Sequence, residues 1–217
     1  MNFKISKVNF ILWNKKILIC TLSLFFLGLA GSLNIKAALG ADPITVFYEG
    51  LSKSLNMDIG ITINILNVIL TIAVLFIERK YINIGTLIYV LTLGYFVNFG
   101  IWLYELFPIP NSFIVRLLVS LFGCLLAFIG LGGFMAINIG VDPWTAITLI
   151  ACEKLKKSFR LIRTILDAST LILGIILGGT FGIITVFCVL VGGFSIQKIY
   201  DVIDKMIKKM LKSNCED

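Results

Sequence analysis

The sequence predicts an all-α membrane protein, six transmembrane helices arranged as two inverted three-helix repeats, each with a short amphipathic or re-entrant helix after a Gly-x-Asp-Pro turn. Three observations predict it. Hydrophobic residues make up 59% of the chain and charged residues only 14%, far more apolar surface than one water-soluble core consumes. Apolar runs recur along the whole length, and 217 residues accommodate about six spans of roughly 20 residues with short connections. One motif also returns in the second half in the same setting, a sign of internal duplication.

The spans are predicted at Ile17–Ile35, Ile61–Ile77, Ile84–Phe107, Phe113–Ile137, Ile162–Leu177 and Phe181–Ile199. The first imitates a cleavable leader, with Lys15 and Lys16 ahead of it and Ala30-Gly31-Ser32 near its end, but its length suits a spanning helix better than a signal core. The second and fifth are close to the minimum for crossing a bilayer, and they hold the same place in their halves. The chain divides into an N-terminal cytoplasmic segment (1–16), a first repeat (17–110), a second repeat (111–200) and a basic tail (201–217).

Basic residues fix the orientation, because Lys and Arg near helix ends stay on the cytoplasmic side. With the N-terminus inside, the inner segments carry Lys4, Lys7, Lys15, Lys16, Arg79, Lys80, Lys154, Lys156, Lys157, Arg160, Arg163 and the C-terminal lysines, whereas the outer ones carry Lys36, Lys53 and Arg116. Both termini are therefore predicted cytoplasmic in a bacterial inner membrane. The net charge of +7 is a topology signal rather than a nucleic-acid face, so the expected partners are the lipid bilayer, a small molecule of unknown identity and a second copy or another protein. From Ile199 to Leu211, apolar residues oppose Lys205, Lys208, Lys209 and Lys212 at helical spacing. That tail either lies on the anionic inner leaflet or is a solvated helix end.

Gly40-Ala41-Asp42-Pro43-Ile44-Thr45 returns as Gly140-Val141-Asp142-Pro143-Trp144-Thr145. A Gly-rich apolar stretch precedes each copy, Phe26 to Gly31 and Phe128 to Gly133. Ile65-Leu66-Asn67 then matches Ile165-Leu166-Asp167, and the register drifts to Ile84-Gly85-Thr86 against Phe181-Gly182-Ile183, where the threonine is missing. An odd number of spans per half turns the second half upside down relative to the first.

Aspartate before proline starts a helix, since the carboxylate accepts from free backbone N–H groups and proline at the first position forgoes a donor that had no partner. Short helices are thus predicted from Pro43 and Pro143, lying flat on the interface or folding back into the protein. Glu49 and Lys53, an i,i+4 pair placed off the apolar face, favour the flat arrangement, and the glycines before each motif favour re-entry. Asp42 and Asp142 are structural caps, elements of a substrate path, or both, because a carboxylate at membrane depth normally faces a cavity or a partner. Asn64, Asn67 and Thr71 share a face of the second span, as do Arg163, Asp167 and Thr170 on the fifth, with Arg163 and Asp167 in ion-pair reach. These polar groups either line a site near the pseudo-two-fold axis or join helices to one another. The candidate substrate-binding residues are Asp42, Pro43, Thr45, Asn67, Asp142, Pro143, Thr145 and Asp167.

The two Leu/Ile-Gly-x-Asp-Pro turns, Leu39 to Pro43 and Ile139 to Pro143, each after a Gly-rich helix, resemble those of the YczE/YyaS/YitT group of bacterial membrane proteins over nearly the whole chain. The resemblance implies a multi-spanning protein and no particular substrate. Chemistry is not expected. The chain has no histidine, no HExxH or GxSxG, and five scattered cysteines with no CxxC, so neither an enzyme nor a metal or cofactor site is predicted. The leading function is a small-molecule transporter or channel with its site between the repeats. The alternatives are a substrate-binding subunit of an ATP-driven vitamin transporter and an accessory or regulatory membrane protein.

Overall fold

Eight α-helices account for almost all of the residues described in the computed structural model, namely 2–107, 110 and 112–213, with side chains described between residues 13 and 208. They are α1 (Asn2–Ala37), α2 (Pro43–Leu55), α3 (Ile59–Ile77), α4 (Ile84–Leu106), α5 (Phe113–Ile137), α6 (Pro143–Leu155), α7 (Phe159–Ile176) and α8 (Ile183–Ser213), with one 3-10 turn at Arg79–Tyr81. Five are long and apolar enough to cross a membrane: α1 from Trp13, α3, α4, α5 and α8. This is a multi-pass α-helical membrane protein. The expected fifth span, α7, is as long as a short crossing but carries Arg160, Arg163 and Asp167. Outward faces bear Ile69, Phe76, Leu91, Phe122, Leu190 and Phe194, all exposed, as lipid-facing surface requires.

Local chemistry repeats at a displacement of a hundred residues. Ala38 and Asn138 end their helices with φ of 51° and 53°, Asn56 and Lys156 with φ of 55° and 52°. Asp42 and Asp142 cap α2 and α6 through the Thr45 and Thr145 N–H groups at 3.2 and 2.9 Å, and Asp58 and Ser158 cap α3 and α7. Both short helices therefore start at the expected prolines, for the expected reason.

Helix directions follow from their neighbours. Gly28 lies against Phe96, Gly100 against Ser32, and Lys36 pairs with Glu105 at 2.6 Å, so α1 and α4 run in parallel. Gly130 lies against Ser23 and Gly123 against Ala30, so α5 runs antiparallel to α1. Cys124 meets Cys188 at 3.4 Å and Gly132 meets Ile199, so α8 is parallel to α5. Glycine at these crossings lets backbones approach where lipid supplies no hydrophobic drive.

The short helices pack into the bundle instead of lying apart from it. α2 lies along α7, with Pro43, Val46, Tyr48, Glu49 and Gly50 buried, and α6 buries Pro143, Trp144, Thr145, Ala146, Thr148 and Ile150 against α3 and α7. This reverses the expectation for Glu49. Instead of facing outward beside Lys53, its carboxylate is buried and accepts from the Thr180 N–H (2.9 Å) and hydroxyl (2.7 Å), while Lys53 pairs with it at 2.6 Å and donates to the Gly178 carbonyl. The end of α6 does the same for the other half: Glu153 accepts from Lys80 and from the Tyr81 hydroxyl at 2.6 Å. Those two donors hold the exposed Glu153 carboxyl below its ordinary range.

α8 runs unbroken from Ile183 to Ser213, so the basic tail is helical and continuous with the last apolar helix; Lys209, Leu211 and Lys212 lie outside the described side chains. The two halves also differ in closure. Gly60 and Gly94 bring α3 against α4, with Asn98 and Asn64 accepting from the Gly60 and Gly94 N–H groups at 3.1 and 2.9 Å. Arg160 stands in place of Gly60, Gly193 faces open space, and α7 has no comparable packing on α8.

Candidate functional site

Each Gly-x-Asp-Pro turn docks on the start of the last helix of the opposite half. On one side the Ile184 N–H donates to the Leu39 carbonyl (3.1 Å) and the Ala41 N–H to the Thr185 hydroxyl (3.2 Å). On the other, the Gly85 N–H donates to the Ile139 carbonyl (3.0 Å) and the Thr86 hydroxyl to the Val141 carbonyl (2.8 Å). Gly40 has φ of +96° and Gly140 has Thr86 N 2.6 Å from where a Cβ would stand, so neither position admits a side chain without displacement. The threonine that the sequence comparison finds missing is therefore present. Thr185 accepts from the Gly182 N–H as Thr86 accepts from the Asn83 N–H, one residue off the hundred-residue register, and both threonines are buried.

These docked turns aim α2 and α6 at each other. Trp144 Nε1 donates to the Tyr48 hydroxyl at 2.8 Å, and that hydroxyl donates to Asn67 Oδ1 at 2.8 Å, with 8%, 3% and 0% of the three residues exposed. Phe47 and Tyr48 both meet Trp144 edge to face, with centroids at 6.1 and 6.4 Å. Asn67 Nδ2 has no partner among the described residues. Beside this chain, Arg163 holds Asp167 at 3.1 Å, and it lies within electrostatic reach of Asp142 and Asp42 too. Trp144, Thr148, Arg163, Asp167 and Thr170 line a crevice too narrow for a water molecule.

The structure places Asp42, Asp142 and Asp167 within electrostatic reach of Arg163, while Asn67 belongs to the Tyr48–Trp144 chain, and the four have distinct roles. Thr45 and Thr145 hold the caps, with the Thr45 hydroxyl donating to Asp42 at 2.6 Å, and Pro43 and Pro143 only start their helices. Asn67 and Asp167, matched positions of the repeat, share no hydrogen bond; Asn67 serves Tyr48 and Asp167 serves Arg163. Asn64 and Thr71 drop out: Asn64 accepts from Gly94 in the α3–α4 contact, and Thr71 donates to its own helix at Asn67 O. Tyr48, Trp144 and the buried Tyr89 were not among the expected site residues. An aromatic hydroxyl or indole on a short helix reads as ordinary packing unless its partner is known, and here the partner lies about a hundred residues away.

Tyr48→Phe removes the acceptor of the Trp144 indole and the donor to Asn67 while keeping the ring. Two buried groups are orphaned, so the detergent-purified variant is expected to lose about 2–4 kcal/mol of stability, read as a Tm lower by several degrees.

A second concavity, about 410 Å³, opens beside the Ile139–Val141 turn and is lined by Trp13, Lys80, Tyr81, Asn83, Asn138 and Gly140 among others. It is of ligand size, and its floor is one of the two docked turns. At the opposite turn, the Glu49–Thr180 contact ties down the adjoining α7–α8 loop.

Comparison with known proteins places the chain in a family. Residues 14–201 match the model of a family of unknown function, DUF6198. A protein of Haemophilus influenzae described as an uncharacterized protein is 27% identical over 88% of this chain and 86% of its own length. The Bacillus subtilis protein described as uncharacterized protein YyaS is 29% identical over 85% of this chain and 92% of its own. No solved structure matches.

Proposed function

The chain belongs to the DUF6198 family and is YyaS-like, and from that premise we propose that it is a small-molecule transporter whose substrate site is the central cluster between two inverted repeats. The observation that carries this reading is that two capping aspartates, from turns docked on opposite halves, both lie within electrostatic reach of Arg163 beside the buried Trp144–Tyr48–Asn67 chain. Ionisable groups at membrane depth are costly and commonly mark a substrate path, and helix starts that meet at the repeat interface are how many transporters build a site.

Six spans with both termini cytoplasmic, in a bacterial inner membrane, complete the proposal. α7 is the fifth span in chain order, with Arg163 and Asp167 paired and only partly exposed, and α2 and α6 are re-entrant. Support comes from the parallel pairs α1/α4 and α5/α8 running antiparallel to each other, and from the buried faces of the short helices. Both turns are docked in this conformation. Opening one at a time exposes the cluster to one side at a time, and the cavity beside the Ile139–Val141 turn is the cytoplasmic vestibule.

The test uses purified protein reconstituted in liposomes, after a thermal-stability screen against metabolites and vitamins. A ligand that binds the folded state at a hundredfold over its Kd stabilises it by about 2.7 kcal/mol. Asp42→Asn with Asp142→Asn keeps both caps, since asparagine caps as well as aspartate, but removes both charges. The double variant is expected to fold normally and to lose both the ligand shift and uptake. Undiminished uptake in it removes the aspartates from the pathway, and copurification with an ATPase pair favours a capture subunit instead.

A further inference from the structure

We infer that the central site takes an organic monocation, an ammonium group carrying a hydrogen-bond acceptor. This rests on the transport reading and adds the substrate class to it. Charge is the first support. Asp167 pairs with the Arg163 guanidinium at 3.1 Å and Asp42 and Asp142 lie within its electrostatic reach, three carboxylates to one cation and a formal surplus of two negative charges. The N-termini of α2 and α6, each equivalent to about half a positive charge, offset about one of them. The remainder is what a single monovalent cation neutralises.

The second support is the walls. Phe47, Tyr48 and Trp144 stand edge to face around the meeting point of α2 and α6, with Tyr89 buried in the same core cluster. Aromatic faces attract alkylammonium groups by about 0.5–2 kcal/mol each when desolvated, and they do not favour an anion. No group of three or more carboxylate or thiol ligands fit for a metal ion exists among the described residues, which points to an organic cation over a bare one.

The third support is independent of charge. The indole N–H, the Tyr48 hydroxyl and the Asn67 amide bring four hydrogens, and the two bonds of the chain use two of them, which leaves the hydrogens of the amide nitrogen without an acceptor among the described residues. That nitrogen, Asn67 Nδ2, is on a residue with 0% exposure. A buried donor without a partner calls for an acceptor, and a hydroxyl or carbonyl on the substrate supplies one. Room comes from α7, which packs on α2 and α6 but not comparably on α8, so its outward movement widens the crevice that Arg163 and Asp167 line.

The experiment is thermal unfolding of the full chain in detergent with choline, ethanolamine and 3,3-dimethylbutan-1-ol, the last a neutral isostere of choline. The two cations are expected to raise Tm by about 5 °C or more at saturation and the isostere to leave it unchanged, with the cation shift lost in Asp42→Asn/Asp142→Asn. An isostere as effective as choline, or no shift from either cation, overturns the inference. Flux of labelled choline into liposomes separates this from the transport reading. Cation binding without flux leaves the cation site standing and sinks transport, whereas a neutral or anionic compound that binds and is carried keeps transport and sinks the cation site.

Discussion

Gly174→Leu is expected to give little folded protein, and what is recovered to be less stable by about 3 kcal/mol or more. A Cβ at Gly174 stands 2.8 Å from Phe47 N and from Val46 C and 2.9 Å from Phe47 Cα, all backbone atoms of α2. Carbon contacts settle near 3.5–4.0 Å, so α2 has to move bodily, and overpacking of this kind costs about 1–3 kcal/mol for small intrusions. The shift also pulls Glu49 from Thr180, leaving a buried carboxylate with fewer donors, and tilts Tyr48 away from Trp144. Gly193→Ala is the control. No atom lies within 4 Å of its Cβ position, so its Tm is expected to stay within about a degree of the parent. Fluorescence-detected size exclusion and thermal unfolding of the pair decide the matter, and equal behaviour of the two variants contradicts the α2–α7 contact.

Thr86→Val and Thr185→Val are expected to act in opposite senses. Valine keeps the shape and removes the hydroxyl. In Thr86→Val the Val141 carbonyl loses its donor and the Asn83 N–H its acceptor; in Thr185→Val the Ala41 and Gly182 N–H groups lose theirs. Each loss costs about 1–3 kcal/mol while the turn stays docked and nothing once it opens to water, a population shift of roughly tenfold or more. In a cysteine-free background, Val141→Cys is expected to react faster with a water-soluble maleimide in the Thr86→Val variant only. Ala41→Cys is expected to do so in the Thr185→Val variant only. Parallel changes at both reporters identify the threonines as general packing and remove them as latches.

Much of the fold is legible in the residues alone, because lipid as solvent leaves few choices. Apolar runs of spanning length must be helices, and helix ends there are announced by residues acting on their immediate neighbours. Asp42-Pro43 and Asp142-Pro143 start α2 and α6 by such contacts, and Ile84–Leu106 and Phe113–Ile137 end within a residue of where hydropathy ends them. Asp42, Asp142 and Asp167 are legible as candidates for the same reason, since charge inside an apolar setting stands out against its background.

What the sequence by itself determined is thus the local and the periodic: the helices, their caps, the repeat and the polar positions. Tertiary structure decided which residues meet. Whether Glu49 faces outward or inward depends on Thr180, 131 positions on, and the role of Tyr48 depends on Trp144, 96 positions on. The Thr86 and Thr185 equivalence is set by hydrogen-bond geometry at each helix start and not by the nearest glycine, so a register drawn on glycines misses it. The looser α7–α8 side is likewise a matter of packing, where Gly193 meets no neighbour while Gly60 and Gly94 bring α3 against α4. A residue signals its own preference within a turn or so of chain, whereas the contacts of Tyr48 with Trp144 and of Glu49 with Thr180 join residues about a hundred positions apart, which only the packed bundle specifies.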